Sequence, residues 1–229
     1  MTARAILTDI EGTTCPISFV KQVLFPYARA HLPAYVAAHA ADALVRRCLE
    51  DARAIAGDPA MSDDAVVAAL LQWIDEDRKL TPLKTLQGLV WAAGYTSGAL
   101  VCPIYDDAAA QLRAWHAAGV PLHVYSSGSI AAQRLLFGHT THGDLTPLFI
   151  GYYDTTIGPK LEAGSYRAIA RAVALPPEAI LFLSDHTGEL DAAAAAGMRT
   201  ICLDRGEAAI PAQTPHRRVT TFAAIDPLA

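Results

Sequence analysis

Residues 5–14 read AILTDIEGTT, an apolar run followed directly by two acidic residues, Asp9 and Glu11. A continuous apolar run of this kind is typical of a strand that is buried on both faces. Asp9 and Glu11 are two residues apart, so their side chains point the same way if the extended geometry continues. Gly12 then allows a sharp turn. The stretch predicts a strand with two converging carboxylates at its end, although a solvated acidic turn would also explain an isolated D-x-E.

Three further apolar runs have the same form, because each leads into polar residues: 121–125 before Ser126 and Ser127, 180–183 before Ser184 and Asp185, and 200–203 before Asp204. Helical periodicity between the runs predicts helices over 107–118, 162–175 and 189–196. Strands that alternate with helices predict an α/β fold with a doubly wound parallel sheet. Such sheets bind ligands beyond the carboxyl ends of their strands. We therefore expect the polar residues after the runs to meet at one edge: Asp9, Ser126, Ser127 and Asp185.

Residues 16–103 differ from the rest of the chain, because they carry helical patterns and no convincing strand. The patterns predict helices over 20–31, 34–56, 63–80 and 83–93, with Pro26 dividing the first. We expect two domains: an α/β core formed by residues 1–15 and 104–229, and a helical cap formed by residues 16–103 that lies over the sheet. The alternative is an ordinary helical layer of a single domain. The tail from residue 206 favours a loop with a small final strand.

Composition restricts the possible partners and compartments. The chain has 229 residues, a net charge of −5 and 52% hydrophobic residues, which suits one large domain or a core with an insert. The acidic balance argues against a nucleic-acid partner. Four widely spaced cysteines without a C-x-x-C pair indicate free thiols in a reducing compartment. The sequence shows no signal-peptide pattern and no apolar run long enough to span a bilayer, so we expect a cytoplasmic protein that does not bind membranes.

The polar groups predicted at the sheet edge suit a phosphate. Ser126 and Ser127 provide hydroxyl and backbone N–H groups before a helix that begins near residue 130, and helix N-termini attract anions. Lys160 adds a positive charge near the start of another helix. Each residue also has a simpler explanation: a capping serine, a surface lysine, or, for Asp185, the cap of the helix that follows.

Taken together, the groups predict phosphoryl transfer. Asp9 attacks phosphorus and forms an aspartyl-phosphate, which water then hydrolyses. Mg²⁺ offsets the repulsion between carboxylate and phosphate, and its predicted ligands are Asp9, Glu11 and Asp185. Lys160 and Ser126 bind the phosphoryl oxygens as charge spreads over them.

The order D-x-[DE]-G-T, S-S, K, D resembles that of the haloacid-dehalogenase superfamily. The match is closer to the enolase-phosphatases of methionine salvage, which the chain resembles in five segments: DIEGTT at 9–14, PISFVK at 16–21, LKTLQGLVW at 83–91, VYSSGS at 124–129 and LLFGH at 135–139. The resemblance covers nearly the full chain and fades over 36–64 and in the tail.

The resemblance implies a haloacid-dehalogenase-like core with a cap, and a bifunctional Mg²⁺-dependent phosphoric monoester hydrolase, an acireductone synthase. Such an enzyme enolises 2,3-diketo-5-methylthiopentyl-1-phosphate and then removes the phosphate, which gives the acireductone 1,2-dihydroxy-3-keto-5-methylthiopentene. It implies catalytic roles for Asp9, Glu11 and Lys160, together with substrate contacts from Ser126, Ser127 and Lys160. Most superfamily phosphatases have aspartate at the position of Glu11. We connect the presence of glutamate in this chain with the enolisation step. We expect a monomer that acts on a small phosphorylated diketone.

Three other functions stay open from the sequence. The first is a phosphatase of the same superfamily that acts on another small phosphate ester without enolisation. A dehalogenase is disfavoured, since that chemistry needs no metal and Glu11 would repel an acidic substrate. A catalytically inactive phosphate-binding module is disfavoured because the acidic residues and Lys160 are all present.

Overall fold

A computed structural model describes residues 3–226 of the chain. The chain folds as two compact units: one contains the described residues up to Phe19 and from Val101 onwards, and the other is Val20–Leu100. The assignment of the second unit as a cap over the sheet stays a prediction. Within residues 3–226, no helix combines the length and the apolar character needed to cross a membrane.

The first unit contains a parallel sheet, which within residues 3–226 has six strands in the order β3-β2-β1-β4-β5-β6. The strands are β1 (Ala5–Thr8), β2 (Leu122–Tyr125), β3 (Gly151–Tyr153), β4 (Ile180–Ser184), β5 (Arg199–Leu203) and β6 (Arg217–Val219). Every residue of β1, β2 and β4 is buried, as expected for strands covered on both faces. The predicted α/β fold with a doubly wound parallel sheet is confirmed.

The helices follow the sequence patterns closely in the first unit and less closely in the second. Their bounds are α1 (Ile17–Phe19), α2 (Phe25–Ala38), α3 (Ala43–Ala56), α4 (Asp63–Asp75), α5 (Thr81–Thr96), α6 (Asp106–Ala117), α7 (Ile130–Gly138), α8 (Ala163–Val173) and α9 (Thr187–Ala195). A π-helical turn, Val20–Leu24, leads directly into α2, and Pro26 stands in the first turn of α2, where the π-helical geometry changes to α-helical.

One predicted helix of the second unit is divided in the structure. The pattern over 34–56 predicts a single helix, but α2 ends at Ala38 and α3 begins at Ala43. Asp42 is the N-cap of α3, because its side chain accepts hydrogen bonds from the backbone N–H groups of Leu44 and Val45. The capping bonds stabilise a new helix start, which alanine-rich periodicity alone does not reveal.

Each unit has its own core. In the first unit, aromatic rings pack under the carboxyl ends of the strands: Tyr166 contacts Phe182 at 5.1 Å and Tyr125 at 5.5 Å between ring centroids, both edge to face. In the second unit, α2, α3, α4 and α5 pack around Leu32, Leu49, Leu70 and Leu86, all fully buried.

His123 is a buried polar group on β2 whose two ring nitrogens have no hydrogen-bond partner within residues 3–226. Burial lowers the pKa of His123 from 6.5 to about 4. Between these values the unfolded chain binds more protons than the native protein, so stability falls as the pH falls from 6.5 towards 4.

We expect His123→Leu to remove about 3 kcal/mol of this pH dependence of the unfolding free energy, and to leave the protein at least as stable at pH 7. Urea unfolding of both proteins at pH 7, 5.5 and 4.5 measures the effect. The matched control is His116→Leu at an exposed position, which should leave the slope unchanged. Equal slopes for wild type and His123→Leu would contradict the prediction.

Candidate active site

The ends of three neighbouring strands place polar side chains at one edge of the sheet. β1 lies between β2 and β4, and Thr8 pairs with Val124 and Leu183, so the three strands end at the same level. A buried polar residue follows each of these strands: Asp9 follows β1, Ser126 follows β2 and Asp185 follows β4. We call this region the carboxyl edge.

Lys160 reaches the carboxyl edge from the loop between β3 and α8. Its Nζ lies 2.6 Å from Asp9 Oδ1 and 2.6 Å from Glu189 Oε2, and its side chain is 7% exposed. Burial by itself would lower the pKa of Lys160, but Asp9 and Glu189 outweigh this and raise the pKa above its usual value. The lysine is therefore an ammonium ion across the physiological pH range.

Glu189 is a site residue whose position four residues after Asp185 is visible in the sequence, but to which the sequence patterns gave no role. It lies in the first turn of α9, where its carboxylate accepts hydrogen bonds from Ser184 Oγ at 3.1 Å and pairs with Lys160. Burial, and then the nearby charge of Asp9, raise the pKa of Glu189 to about 8. The available signal was its position four residues after Asp185, one turn into a helix that follows a strand end.

Glu11 and Ser126 are joined across the edge, since Ser126 Oγ donates to Glu11 Oε2 at 3.2 Å. Ser126 Oγ also accepts from the backbone N–H of Gly128 at 3.1 Å. Burial first, and then the charge of Asp9, raise the pKa of Glu11. The hydroxyl therefore stabilises a carboxylate that its surroundings push towards the protonated form.

The loop after β2 has separate roles for its serines. Ser129 is the N-cap of α7, while Ser127 is exposed and lies between the partly buried Ser129 and the buried Ser126. Gln133 fixes the loop, because its Nε2 donates to the carbonyl oxygens of Gly128 and Tyr153 at 2.8 Å each. The loop is thus held at the start of a helix, which is the geometry that suits a phosphate group.

Asp185 is seated directly against the turn at Gly12. Its backbone N–H donates to Thr13 Oγ1 at 3.1 Å. Burial, and then the charge of Asp9, raise the pKa of Asp185 to about 7. The N-cap of α9 is His186, which accepts from the N–H of Glu189, so Asp185 is not needed as the cap.

The donor groups at the carboxyl edge suit a hard divalent cation. Asp9 and Asp185 are oxygen donors close enough that one raises the pKa of the other, and a bound cation would relieve this repulsion. Across residues 3–226, no three His, Cys, Asp or Glu side chains are grouped closely enough to hold a metal ion. Mg²⁺ is compatible with this arrangement, because it is usually held by one or two carboxylates, with water and substrate phosphate as the other ligands.

Gly12 provides a test of this geometry. Its φ is +74°, and a Cβ atom there would lie 2.1 Å from Asp185 Oδ2. We expect Gly12→Ala to displace Asp185 and to lower kcat by about 10²-fold, since misplacement of about 1 Å has such effects.

Gly119→Ala is the matched control for Gly12→Ala, because Gly119 has a φ of +75° and open space around it. It carries the same backbone strain without a collision, so it should lower stability and leave kcat unchanged. Steady-state kinetics and thermal unfolding of both variants separate the two effects. Similar kcat values for the two variants would exclude the steric role of Gly12.

This arrangement, a parallel sheet with acidic residues and a buried lysine at its carboxyl edge, suits a hydrolase. The family model for haloacid dehalogenase-like hydrolases matches residues 3–197. The chain belongs to the haloacid dehalogenase-like hydrolases and, within them, to the enolase-phosphatase E1 group.

Relatives that align with most or all of the chain place it in the enolase-phosphatase E1 group. The chain is 60% identical to Enolase-phosphatase E1 of Methylococcus capsulatus over 202 residues, covering 88% of this chain and 89% of the relative. It is 56% identical to Enolase-phosphatase E1 of Azotobacter vinelandii over the full length of both. Among solved structures, the UTR4 protein of Saccharomyces cerevisiae matches with a TM-score of 0.84 and 35% identity, covering 97% of this chain and all of that one. The resemblance predicted from the sequence is confirmed.

Proposed function

We propose that this protein is a bifunctional enolase-phosphatase of methionine salvage, which converts 2,3-diketo-5-methylthiopentyl-1-phosphate into the acireductone and phosphate. The observation that carries the proposal is the pairing of Asp9 with buried Lys160 at 2.6 Å, beside Glu11 and Asp185. The relatives named Enolase-phosphatase E1 support the choice of reaction.

In the phosphatase step, Asp9 is the nucleophile. Lys160 engages Oδ1 of Asp9, so attack on phosphorus is assigned to Oδ2. A bond forms between Oδ2 and phosphorus as the bond from phosphorus to the enol oxygen breaks, and water later cleaves the acyl phosphate. Lys160 and Ser126, with Ser127 at the exposed end of the loop, are placed to bind the phosphoryl oxygens.

In the enolisation step, we assign proton transfer to Glu11: its carboxylate removes a proton from C1 of the diketone phosphate and returns it to the neighbouring C2 oxygen, as the C2–O double bond becomes single and the C1–C2 bond becomes double. A carboxylate whose pKa is raised by burial and by Asp9 can take and return a proton closer to neutral pH than an exposed glutamate can. Its bond to Ser126 Oγ keeps it oriented towards the phosphate loop. Aspartate at this position would be one methylene shorter, which agrees with glutamate serving an additional step.

Mg²⁺ is the proposed cofactor, with Asp9 and Asp185 as the candidate carboxylate ligands; Glu11, the third ligand predicted from the sequence, does not form a close group of three with them within residues 3–226 and is assigned to proton transfer instead. When bound, it neutralises charge between the carboxylates and the phosphate and orients the phosphoryl group. The other proposed properties are cytoplasmic location, a monomeric state, and no nucleic-acid or membrane partner.

The decisive experiment follows ultraviolet absorbance and free phosphate together, with the diketone phosphate as substrate and with and without Mg²⁺. We expect a Mg²⁺-dependent rise in enol absorbance and stoichiometric release of phosphate. A simple phosphate monoester, which cannot enolise, is run in parallel. Phosphate release from general esters without enol absorbance from the diketone would favour the alternative, a phosphatase on another small ester.

Metal binding should also change the pH dependence of stability. Because the pKa of Asp185 is raised to about 7, metal binding competes with its protonation below that pH. We expect saturating Mg²⁺ to raise the unfolding free energy by about 2–3 kcal/mol at pH 8 and by less at pH 6. Thermal unfolding with Mg²⁺ or EDTA at both pH values measures this. An equal effect in wild type and Asp185→Asn would argue against Asp185 as a ligand.

A further inference from the structure

Arg205 is a buried charge in the loop after β5, outside the residues assigned above. Its side chain is 7% exposed. Its Nε and Nη2 donate to the carbonyl oxygen of Thr13 at 3.3 and 3.2 Å. Its Nη1 donates to both carboxylate oxygens of Asp107, at 3.1 and 2.9 Å, and to the carbonyl of Thr220 at 3.0 Å. The guanidinium therefore holds a backbone carbonyl of the loop that carries Asp9 and Glu11.

The surroundings of Arg205 hold it in one orientation. The guanidinium carbon lies 4.3 Å from the ring centroid of Tyr105 and 5.3 Å from that of Phe222. Asp107 compensates the charge and is itself fixed, because it accepts from the backbone N–H of Phe222 at 2.7 Å and from Thr221 Oγ1 at 2.8 Å. The guanidinium uses Nε and Nη2 for one carbonyl and Nη1 for the carboxylate, beside two aromatic rings, and this is a geometry that the single ammonium group of lysine cannot reproduce.

Thr13 connects this clamp to the carboxyl edge. Its carbonyl is held by Arg205, and its Oγ1 accepts the backbone N–H of Asp185 at 3.1 Å. Thr13 is fully buried and follows Gly12, against which the Asp185 carboxylate is seated. Rotation of the Thr13 peptide would therefore move the hydroxyl that holds Asp185 and the turn that makes room for it.

We propose that Arg205 is a positioning residue, which fixes the Thr13 peptide and thereby holds Asp185 in register with Asp9. This inference rests on the proposed function, since it assigns Arg205 to the same carboxyl edge. A purely structural role, in which Arg205 only ties the loop after β5 to α6, is the competing explanation.

The test compares R205Q and R205K with R218Q. Arg218 also pairs with an aspartate, but it is partly exposed and, within residues 3–226, its side-chain hydrogen bonds go to Asp204, so R218Q controls for loss of an arginine–aspartate pair. The first readout is kcat and KM for phosphate release with Mg²⁺. The second is amide hydrogen exchange of Asp185 in the metal-free protein, measured by nuclear magnetic resonance.

For R205Q we expect kcat to fall by about 10²-fold with KM changed less than about threefold, and the Asp185 amide to exchange faster. R205K keeps the charge beside Asp107 but loses the fork, so it should recover part of the loss in kcat. R218Q should match wild type in both readouts. If R205Q does not fold, the kcat and the Asp185 amide exchange of R205K are compared with those of wild type instead.

Three results would overturn the inference: unchanged kcat in R205K and R205Q, a loss explained by the unfolded fraction alone, or unaltered exchange at Asp185. Absence of Mg²⁺-dependent phosphate release in wild type would instead reject the proposed function. The exchange of Asp185 would then still decide whether Arg205 holds the loop.

Discussion

Asp9→Asn should abolish phosphate release, with kcat reduced by about 10⁴-fold or more, because the amide cannot attack phosphorus as a carboxylate does. Asparagine has nearly the same shape, so the fold should survive. The substitution also removes a negative charge that raises the pKa values of Glu11, Asp185 and Glu189, which relieves repulsion at the carboxyl edge. We therefore expect the midpoint of thermal unfolding to change little.

The measurement is phosphate release from the diketone phosphate, combined with rapid acid quenching to trap phosphorylated protein. Wild type should give a phosphorylated peptide that contains Asp9, and Asp9→Asn should not. Asp204→Asn is the matched control, since Asp204 also follows a strand, β5, but pairs with Arg218. Trapping of phosphate in Asp9→Asn, or substantial remaining turnover, would show that another group is the nucleophile.

The strand-end residues could be predicted because their positions depend on local sequence. Each buried apolar run leads into polar residues, and parallel strands bring their carboxyl ends to one edge. Asp9, Ser126 and Asp185 therefore followed from the pattern alone, and the structure places them directly after three neighbouring strands. Lys160 was predicted from its place before a helix, but its two carboxylate partners were not.

The roles of Glu189 and Arg205 could not be predicted because they depend on partners that are distant in sequence. Glu189 binds Lys160 from α9, and Arg205 binds Thr13 across 192 residues of chain. Their sequence surroundings resemble those of ordinary surface charges, and only tertiary packing reveals their burial.

The short strand β3 was missed for a related reason. It has three residues and begins with Gly151, a residue that is depleted in strands. The structure supplies the explanation, since a Cβ atom at Gly151 would lie 2.5 Å from His123 Nδ1 on the neighbouring strand. A larger residue at position 151 would collide with His123 on the neighbouring strand, so glycine is needed there. This cross-strand contact is not visible in the local sequence pattern.

Lys160→Met should lower kcat by about 10²–10³-fold, the effect typical of losing one charged or hydrogen-bonding group that stabilises the transition state. Methionine fills similar space, but it leaves Asp9 and Glu189 facing each other without the ammonium ion. The pKa of Glu189, already about 8, should rise further. Because a carboxyl group with a raised native pKa binds more protons when folded, stability falls as the pH rises, and in Lys160→Met this fall should continue further above pH 8 than in wild type.

A second substitution separates the structural cost of Lys160→Met from the catalytic one. Lys160→Met with Glu189→Gln removes one of the two opposed carboxylates, so it should recover stability at pH 8 without recovering kcat. Lys79→Met is the matched control, because Lys79 is 61% exposed and pairs with an aspartate, Asp77, in the second unit. Recovery of kcat in the double variant would mean that Lys160 acts by relieving repulsion, and that the phosphoryl oxygens are bound by other groups.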